Sequence, residues 1–402
     1  MISIPGNDMA ARAERFNPRT GNIPASATLE ISARVRQLRS RGRRVLSLTA
    51  GEPDFDTPEP IKEAAIAALR SGITKYSPAA GYPQLREAIC RKLQEENAVE
   101  YDPSQVVVSN GAKHSLSNVI SVLVRDGDEV LIPSPFWVSY PAMVRIAGGV
   151  CRFIETDSRT GFKVTAEALE RAISPRSRLL ILNSPCNPTG AVYSRRELEE
   201  LAEVILRRGL TVISDEVYEK IVFEGRTHHS IASLDEEIKK RTVVVNGFSK
   251  TFAMTGWRLG YLAAEKEIAQ AVANLQSQST SGPNSFAQYG AIEALKLPRD
   301  IISSMVEAYS GRRQILIRTL GEGTPVRLFP PEGSFYGWVD ISPTGLTAAD
   351  FCARLLEEED IAVIPGEPFG SSRHVRLSFA CDEETLQEAC TRLIAFCQQL
   401  SG

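Results

Sequence analysis

Residues 246–260 read NGFSKTFAMTGWRLG, and they connect two apolar runs, TVVVNGF before and WRLGYLAA after. Both runs predict strands, so Lys250 follows a strand end. A lysine in this position is usually a solvated surface charge, because lysine is almost never buried without a partner. A chemical role for Lys250 therefore depends on what the rest of the chain brings to the same place.

Apolar runs of the same kind recur along the chain. The segments that predict strands are QVVVS, DEVLIP, GGVCRFIE, SRLLILN, LTVISDE, RTVVVNG and RLGYLAA. Amphipathic segments such as SRRELEELAEVILRRG separate many of them and predict helices. Apolar strands between helices are typical of a largely parallel sheet covered on both faces, where ligands bind beyond the carboxyl ends of the strands. We therefore expect an α/β fold.

The pattern changes near residue 285, where long helical segments precede short strands such as GSFYGWVDI and RHVRLSFA. This part of the chain predicts a smaller α+β domain. We expect residues 1–57 to form an N-terminal arm and part of the small domain. Residues 58–285 then form the large, cofactor-binding domain, and residues 286–402 form the small C-terminal domain.

Composition narrows the classes of function. A net charge of −3 disfavours nucleic-acid and anionic-membrane partners, and no apolar run approaches the ~20 residues of a membrane span. The seven cysteines form no C-x-x-C pair and the four histidines form no H-x-x-x-H motif, which favours free thiols, a cytoplasmic location and no metal site. The N-terminus predicts a mobile arm, and a transit segment is the less favoured alternative.

Polar residues follow several predicted strands. Asp215 ends LTVISDE, where a carboxylate is either a helix N-cap or the partner of a cation, since its desolvation is costly. Asn187 follows SRLLILN in a turn, and offers an amide to a ligand unless the turn is a plain loop. Arg376 lies within RHVRLSFA, and an inward arginine requires an anionic partner.

Two further segments suggest a ligand. QVVVSNGAKHSL predicts a strand, a glycine turn and a helix start that suits phosphate, although many α/β proteins have such a turn without a ligand. The aromatic residues of LIPSPFWVSYP are core residues or a flat face for a planar ring. Pyridoxal phosphate is planar and phosphorylated, and combines a protonatable ring nitrogen with a lysine partner. The Rossmann and P-loop motifs are absent.

The chain resembles the class I pyridoxal-phosphate-dependent aminotransferases of fold type I, and specifically their bacterial aspartate aminotransferase subgroup, from residue 23 to the end. The motifs are SLTAGEPDFDTP (47–58), TKYSPAAGYPQLREAI (74–89), SPFWVSYP (134–141), NSPCNPTG (183–190), SDEVYE (214–219), NGFSKTFAMTGWRLGY (246–261) and VRLSFA (375–380). The resemblance implies a large domain with a mostly parallel seven-stranded sheet, a smaller α+β domain, and a homodimer with shared active sites.

The resemblance also implies catalytic roles. Lys250 bonds to the cofactor and later carries the Cα proton of the substrate. Asp215 holds the proton of the ring nitrogen, and Tyr218 and Asn187 hydrogen-bond the phenolic oxygen of the ring. Trp137 stacks on the ring and contacts the substrate.

The phosphate is implied to bind Arg258 and a backbone turn formed by Gly111, Ala112 and Lys113. Tyr76 is implied to reach the cofactor phosphate of the neighbouring subunit. We also expect burial and nearby cations, notably Arg258, to lower the pKa of Lys250, so that its neutral amine attacks carbonyl groups.

The substrate α-carboxylate is implied to bind Arg376 with help from Asn187 and the backbone at Gly51. Residues implied to hold a second carboxylate are Lys113, Ser26 and Thr28. The expected reaction therefore transfers an amino group between aspartate or glutamate and a 2-oxo acid such as 2-oxoglutarate or oxaloacetate. The alternative function is an aminotransferase for prephenate, an aromatic acid or another biosynthetic keto acid.

Two readings outside catalysis are disfavoured. A cofactor-sensing transcription regulator would carry a basic helix-turn-helix domain ahead of TAGEPDF, but this motif begins at residue 49 and leaves no room for one. An inactive relative is unexpected, because Lys250, Asp215, Arg258 and Arg376 are present. Two positions depart from the subgroup. Cys186 replaces a polar residue and predicts a buried, inert thiol, and Gly247 replaces a serine that contacts phosphate in some relatives.

Overall fold

The computed structural model describes residues 17–21, 23, 25 and 27–401. The predicted arm up to residue 16 and the predicted substrate residue Ser26 lie outside them. The strands are β1 (Leu46–Ser47), β2 (Val106–Ser109), β3 (Glu129–Ser134), β4 (Val150–Glu155), β5 (Ser177–Asn183), β6 (Thr211–Asp215), β7 (Thr242–Gly247), β8 (Gly260–Ala263), β9 (Arg327–Phe329), β10 (Tyr336–Asp340), β11 (Ile361–Ala362), β12 (Ile364–Pro365) and β13 (His374–Ser378).

Helices separate most of these strands. The α-helices are Pro18–Gly21, Ala27–Ser40, Glu59–Arg70, Pro83–Asn97, Ala112–Leu123, Tyr140–Ile146, Ala166–Ala172, Arg195–Arg208, Glu236–Lys240, Lys266–Ser279, Ser285–Ala294, Arg299–Leu320, Ala348–Glu359 and Glu383–Ser401. Within the described part of the chain, none of them has both the length and the apolar character that crossing a membrane requires.

The largest sheet has the strand order β2-β8-β7-β6-β5-β3-β4 among the described residues, and it contains all seven strands predicted from the sequence. Strand β8 runs antiparallel to β2 and β7, and the other neighbouring pairs are parallel. Successive residues of a strand face opposite sides of a sheet. Ile213 therefore packs on one face and Val212 on the other, and both are fully buried. Helices on both faces explain why the strands are continuous apolar runs.

A smaller sheet has the order β12-β13-β10-β9 with antiparallel pairs, and β1 pairs in parallel with β11. The backbone N–H of Ser378 donates to the carbonyl of Leu48, so the N-terminal segment joins this smaller unit. The helix Ser285–Ala294 packs instead against Glu59–Arg70, on the side of the large sheet. The domain boundaries at residues 57 and 285 stay predictions.

The two sheets meet where the site was expected. Strands β5, β6 and β7 end side by side, with Asn183 opposite Asp215, and the loops that follow carry the polar residues of three motifs. Strand β13 of the smaller sheet brings Arg376 to the same edge, at the centre of its pairing with β10. The carboxyl ends of the large sheet therefore face a charged strand of the small one.

Candidate active site

A cleft of about 460 Å³ opens at the carboxyl ends of the central strands. Most of the site residues predicted from the sequence line it: Thr28, Gly51, Ala112, Lys113, Trp137, Asn187, Asp215, Tyr218, Lys250, Arg258 and Arg376. Gly111 lies directly beside this lining, against Arg258. Tyr76 does not line the cleft, and its side chain is on the surface with 92% exposure.

Lys250 lies in the loop after β7, half-buried, and its Nζ donates a hydrogen bond to the carbonyl oxygen of Gly51. Burial lowers the pKa of Lys250 to about 8, and Arg376 and Arg258 act in the same direction, whereas Glu52 opposes them. The direction is the one expected from the sequence. The amine therefore loses its proton more readily than an ordinary lysine, which favours its action as a nucleophile.

Asp215 ends β6 and is buried. The hydroxyl of Tyr140 donates to its Oδ2 at 2.6 Å, and the backbone N–H of Val217 donates to Oδ1 at 3.4 Å. Burial raises the pKa of Asp215 to about 6, although these two hydrogen bonds oppose the rise. No arginine, lysine or histidine of the described residues forms an ion pair with this carboxylate, so a cationic ligand group would complete its environment.

Arg376 is buried and holds Asn187 through a hydrogen bond of 2.9 Å from Nη1 to Oδ1. Its Nη2 lies 3.4 Å from the carbonyl oxygen of Thr49, and the ring centroid of Tyr336 lies 4.3 Å from the guanidinium carbon. Its Nε has no hydrogen-bond partner among the described residues. The hydroxyl groups of Tyr336 and Tyr218 are 2.9 Å apart. A buried guanidinium without a carboxylate suits an anionic ligand.

The glycine turn after β2 allows Arg258 to pack closely against the backbone. Gly111 has a φ of +89°, and a Cβ there would lie 2.6 Å from Nη2 of Arg258. A Cβ on Gly260 would lie 2.2 Å from the backbone nitrogen of Ala112, so β8 and the turn also approach closely only with glycine. The helix beginning at Ala112 directs the free N–H groups of its first turn towards this place, which suits an anion.

Lys113 and Trp137 lie close together in the lining of the cleft. Nζ of Lys113 lies 4.9 Å from the ring centroid of Trp137, and that ring meets Tyr140 edge to face at 5.3 Å. Burial lowers the pKa of Lys113, and Arg258 adds to the effect. Since no carboxylate of the described residues pairs with Lys113, its charge is available to a ligand.

Residues 43–393 match the family model of aminotransferases of class I and II. The chain belongs to this aminotransferase family. It is 42% identical to an aspartate aminotransferase of Bacillus sp. (strain YM-2) over 383 residues, which is 94% of this chain and 98% of the relative. It is 44% identical to the aspartate/prephenate aminotransferase of Cereibacter sphaeroides over 390 residues, with 94% and 98% covered.

Solved structures give the same result. The aspartate aminotransferase of Thermus thermophilus with maleate superposes with a TM-score of 0.90 at 42% identity, covering 94% of this aminotransferase and 99% of that chain. The Rhizobium meliloti enzyme of the same name gives 0.91 at 41%, covering 95% and 99%. The aromatic aminotransferase of Pyrococcus horikoshii gives 0.86 at 42%, covering 91% and 99%. The predicted fold type I and the predicted aminotransferase activity are therefore confirmed.

Several cleft residues of this aminotransferase were not assigned a role from the sequence. They are Ser32, Arg36, Glu52, Tyr140 and Tyr336. Tyr140 stands inside the motif SPFWVSYP, so its position was visible but its bond to Asp215 was not. Glu52 accepts a hydrogen bond of 2.8 Å from the hydroxyl of Thr255, which links the AGEPDF segment to the loop of Lys250.

Cys186 and Gly247 are the two positions that depart from the subgroup. Cys186 is buried, and burial raises the pKa of its thiol, which agrees with an inert side chain. A Cβ on Gly247 would lie 3.4 Å from the Cα of Gly260 and from the carbonyl oxygen of Leu259. These are ordinary van der Waals distances, so the space around position 247 does not by itself require glycine.

A second polar cluster lies behind the cleft of this aminotransferase. It comprises Glu216, Glu219 and His228, whose metal-ligating atoms lie within 4.8 Å of one another. Lys92 forms a buried ion pair with Glu219, whose other oxygen accepts a 2.8 Å bond from Asn97. The hydroxyl groups that donate to Glu216 are those of Ser214 and Ser230. Protein groups therefore already satisfy these carboxylates.

Proposed function

We propose that this aminotransferase transfers the amino group of L-aspartate or L-glutamate to a 2-oxo acid such as 2-oxoglutarate, with pyridoxal phosphate as its cofactor. The main support is the pairing of two unusual groups in one cleft. Asp215 is a buried carboxylate without a cationic partner among the described residues, and Lys250 has a pKa lowered to about 8. A ligand with a protonated ring nitrogen and a carbonyl group fits both.

The remaining groups of the cleft also suit pyridoxal phosphate. Arg258 and the helix start at Ala112 offer a cation and free N–H groups to a phosphate, and the lack of a side chain at Gly111 lets the guanidinium lie directly against this turn. Tyr218 and Asn187 offer hydrogen bonds to a phenolic oxygen, and Tyr336 and Arg376 hold them in place.

When bound, pyridoxal phosphate supplies an electron sink that stabilises negative charge at the Cα of an amino acid. Lys250 takes the Cα proton on Nζ and returns it, for which a pKa of about 8 is suitable. Asp215 stays ionised beside the protonated ring nitrogen. Arg376 binds the α-carboxylate of the substrate, and Trp137 covers the site and excludes water.

A second carboxylate of the substrate binds Lys113, assisted by Thr28. The names of the Bacillus and Thermus thermophilus relatives support aspartate as a donor. The second candidate is prephenate, which the name of the Cereibacter sphaeroides relative supports, and an aromatic acid is supported by the Pyrococcus horikoshii structure. Prephenate also carries two carboxylates, so the same cations serve it.

We also propose a homodimer in which Tyr76 of one copy reaches the cofactor phosphate of the other. Its 92% exposure and its position outside its own cleft support this role. The seven cysteines are free thiols, which supports a reducing compartment, the cytoplasm.

The proposal is tested by half-transamination. The yellow holoenzyme is mixed with single amino acids, and bleaching of the visible band is followed by stopped-flow absorbance. We expect aspartate and glutamate to react fastest. Leucine or phenylalanine reacting ten times faster than aspartate would contradict the choice of substrate.

The cofactor assignment is tested separately. Borohydride reduction followed by peptide mapping should find the pyridoxyl label on Lys250. A label on another lysine, or purified protein that stays colourless and inactive with added cofactor, would contradict it.

A further inference from the structure

The charges that line the cleft exceed what the cofactor and one carboxylate need. The cations are Arg36, Lys113, Lys250, Arg258 and Arg376, and the acids are Glu52 and Asp215. In the proposed function Lys250 meets a carbonyl group, Arg258 a phosphate and Arg376 the α-carboxylate. Two cations, Lys113 and Arg36, then remain for a second carboxylate of the substrate, and only Lys113 was expected from the sequence.

Arg36 belongs to a polar stripe on the helix Ala27–Ser40. Thr28, Ser32 and Arg36 are spaced by four residues, so they share one face of the helix, and all three line the cleft. The neighbouring apolar face, with Val35 and Leu38, packs on the smaller unit. This packing fixes the rotation of the helix and directs the polar stripe into the cleft.

The side chain of Arg36 is free to bind a ligand. Arg36 is exposed and forms no ion pair or hydrogen bond with any of the described residues. Helical side chains generally lean towards the N-terminal end of their helix, which for Arg36 is the turn that carries Ser32. Arg36 thus shares a helix face and a cleft with Thr28, which is proposed to assist binding of the second carboxylate.

We propose that Arg36 is a specificity-determining residue that binds the second carboxylate of the substrate together with Lys113. The inference rests on the proposed function, because it requires a dicarboxylic amino or 2-oxo acid in this cleft. Arginine offers a planar pair of N–H donors that matches a carboxylate, whereas Lys113 supplies a point charge. Two such cations, carried by different helices, distinguish dicarboxylates from acids with neutral side chains.

The test compares the holoenzyme variants Arg36→Gln, Arg36→Lys and Arg34→Gln. Arg34 is a matched control, because it is exposed on the same helix, binds Gln37 and does not line the cleft. One measurement is the Kd of maleate, an unreactive dicarboxylate, by calorimetry. The other is kcat and KM in half-transamination with glutamate, aspartate and alanine.

We expect Arg36→Gln to raise the Kd of maleate and the KM of both dicarboxylic amino acids about tenfold, the size of one charge-assisted hydrogen-bonded contact. The values of kcat, and the KM of alanine, should stay within about twofold. Arg36→Lys should recover part of the loss, and Arg34→Gln should match the wild type.

Two results would overturn the inference. In the first, Arg36→Gln binds maleate and glutamate as the wild type does, while the wild type still prefers dicarboxylates; the proposed function then stands and only the role of Arg36 fails. In the second, the variant weakens alanine and glutamate equally, which indicates a structural role. A wild type that prefers alanine to glutamate would remove the proposed substrate class and this inference with it.

Discussion

One short motif supplies a buried carboxylate to the cleft and another to the polar cluster behind it, and the pKa values of the two carboxylates shift in opposite directions. SDEVYE (214–219) supplies Asp215 to the cleft and Glu219 to the cluster, and both carboxylates are buried. Asp215 has no cationic partner among the described residues, and burial raises its pKa to about 6. For Glu219 burial acts in the same direction, but the ion pair with Lys92 and nearby cations outweigh it and lower the pKa to about 2.

The two lysines show the same contrast. Lys250 lies among other cations and has a pKa lowered to about 8, whereas Lys92 is neutralised by Glu219. Burial disfavours a charge that has no partner, and a protein keeps such a group mainly where a ligand supplies the partner. Unmatched buried charges therefore indicate the binding site of this molecule, and matched ones indicate its framework.

The largest expected effect is at Lys250. Replacement Lys250→Ala removes both the nucleophile and the general base, so half-transamination should slow by at least about 10⁴-fold. Thermal stability of the apoenzyme should be kept or raised, because a poorly solvated amine is removed. Lys240→Ala is a surface control. If the Lys250→Ala variant still bleaches with aspartate at a rate near that of the wild type, the proposed role of Lys250 is wrong.

Lys92 should behave in the opposite manner. Lys92→Met leaves Glu219 buried without its cation, and this should lower the free energy of unfolding by about 3–5 kcal/mol. Urea titration followed by circular dichroism measures the loss, and adding Glu219→Gln should recover part of it. Activity per folded molecule should change little. A stable Lys92→Met enzyme with a large drop in kcat would show that the cluster serves catalysis directly.

Arg376 is expected to have the next largest effect. Arg376→Gln removes the anchor of the α-carboxylate, so KM should rise about 10–100-fold for every amino acid, alanine included. This uniform loss differs from the selective loss expected for Arg36→Gln. An effect limited to dicarboxylates would mean that Arg376 binds the second carboxylate instead.

The pH dependence of apoenzyme stability tests the two carboxylates directly. The pKa of Asp215 is raised, so its contribution to stability is present below its ordinary value of 3.8 and is lost as pH rises through about 6. The pKa of Glu219 is lowered, so its contribution is present above 4.5 and is lost as pH falls through about 2. Urea unfolding between pH 3 and 7 should show the loss of stability with rising pH that Asp215 causes, and Asp215→Asn should abolish this loss.

The sequence predicted the large sheet well, because its strands are continuous apolar runs whose ends carry the polar residues. The loops after β5 and β7 and the end of β6 bring Asn187, Lys250 and Asp215 into one cleft, as expected. Contacts between distant segments were not predictable. Tyr336 meets Tyr218 across 118 residues, and Lys92 meets Glu219 across 127 residues. Tyr336 and Lys92 stand in none of the motifs, and both contacts depend on how separate elements pack.

Arg36 was missed for a related reason. An arginine on the polar face of an amphipathic helix looks like an ordinary solvated residue, and only the packing of Val35 and Leu38 shows which way that face turns. Ser26, expected beside Thr28, lies outside the described residues and stays a prediction. The sequence thus identifies residues attached to strand ends more readily than residues oriented by a helix.

The position of Arg376 on a strand of the smaller sheet has a consequence for amines without a carboxylate. Such a molecule supplies no counter-ion to Arg376, which is 2% exposed. In the proposed function simple amines and polyamines therefore bind more weakly than amino acids, because the contact between the α-carboxylate and the small sheet is missing.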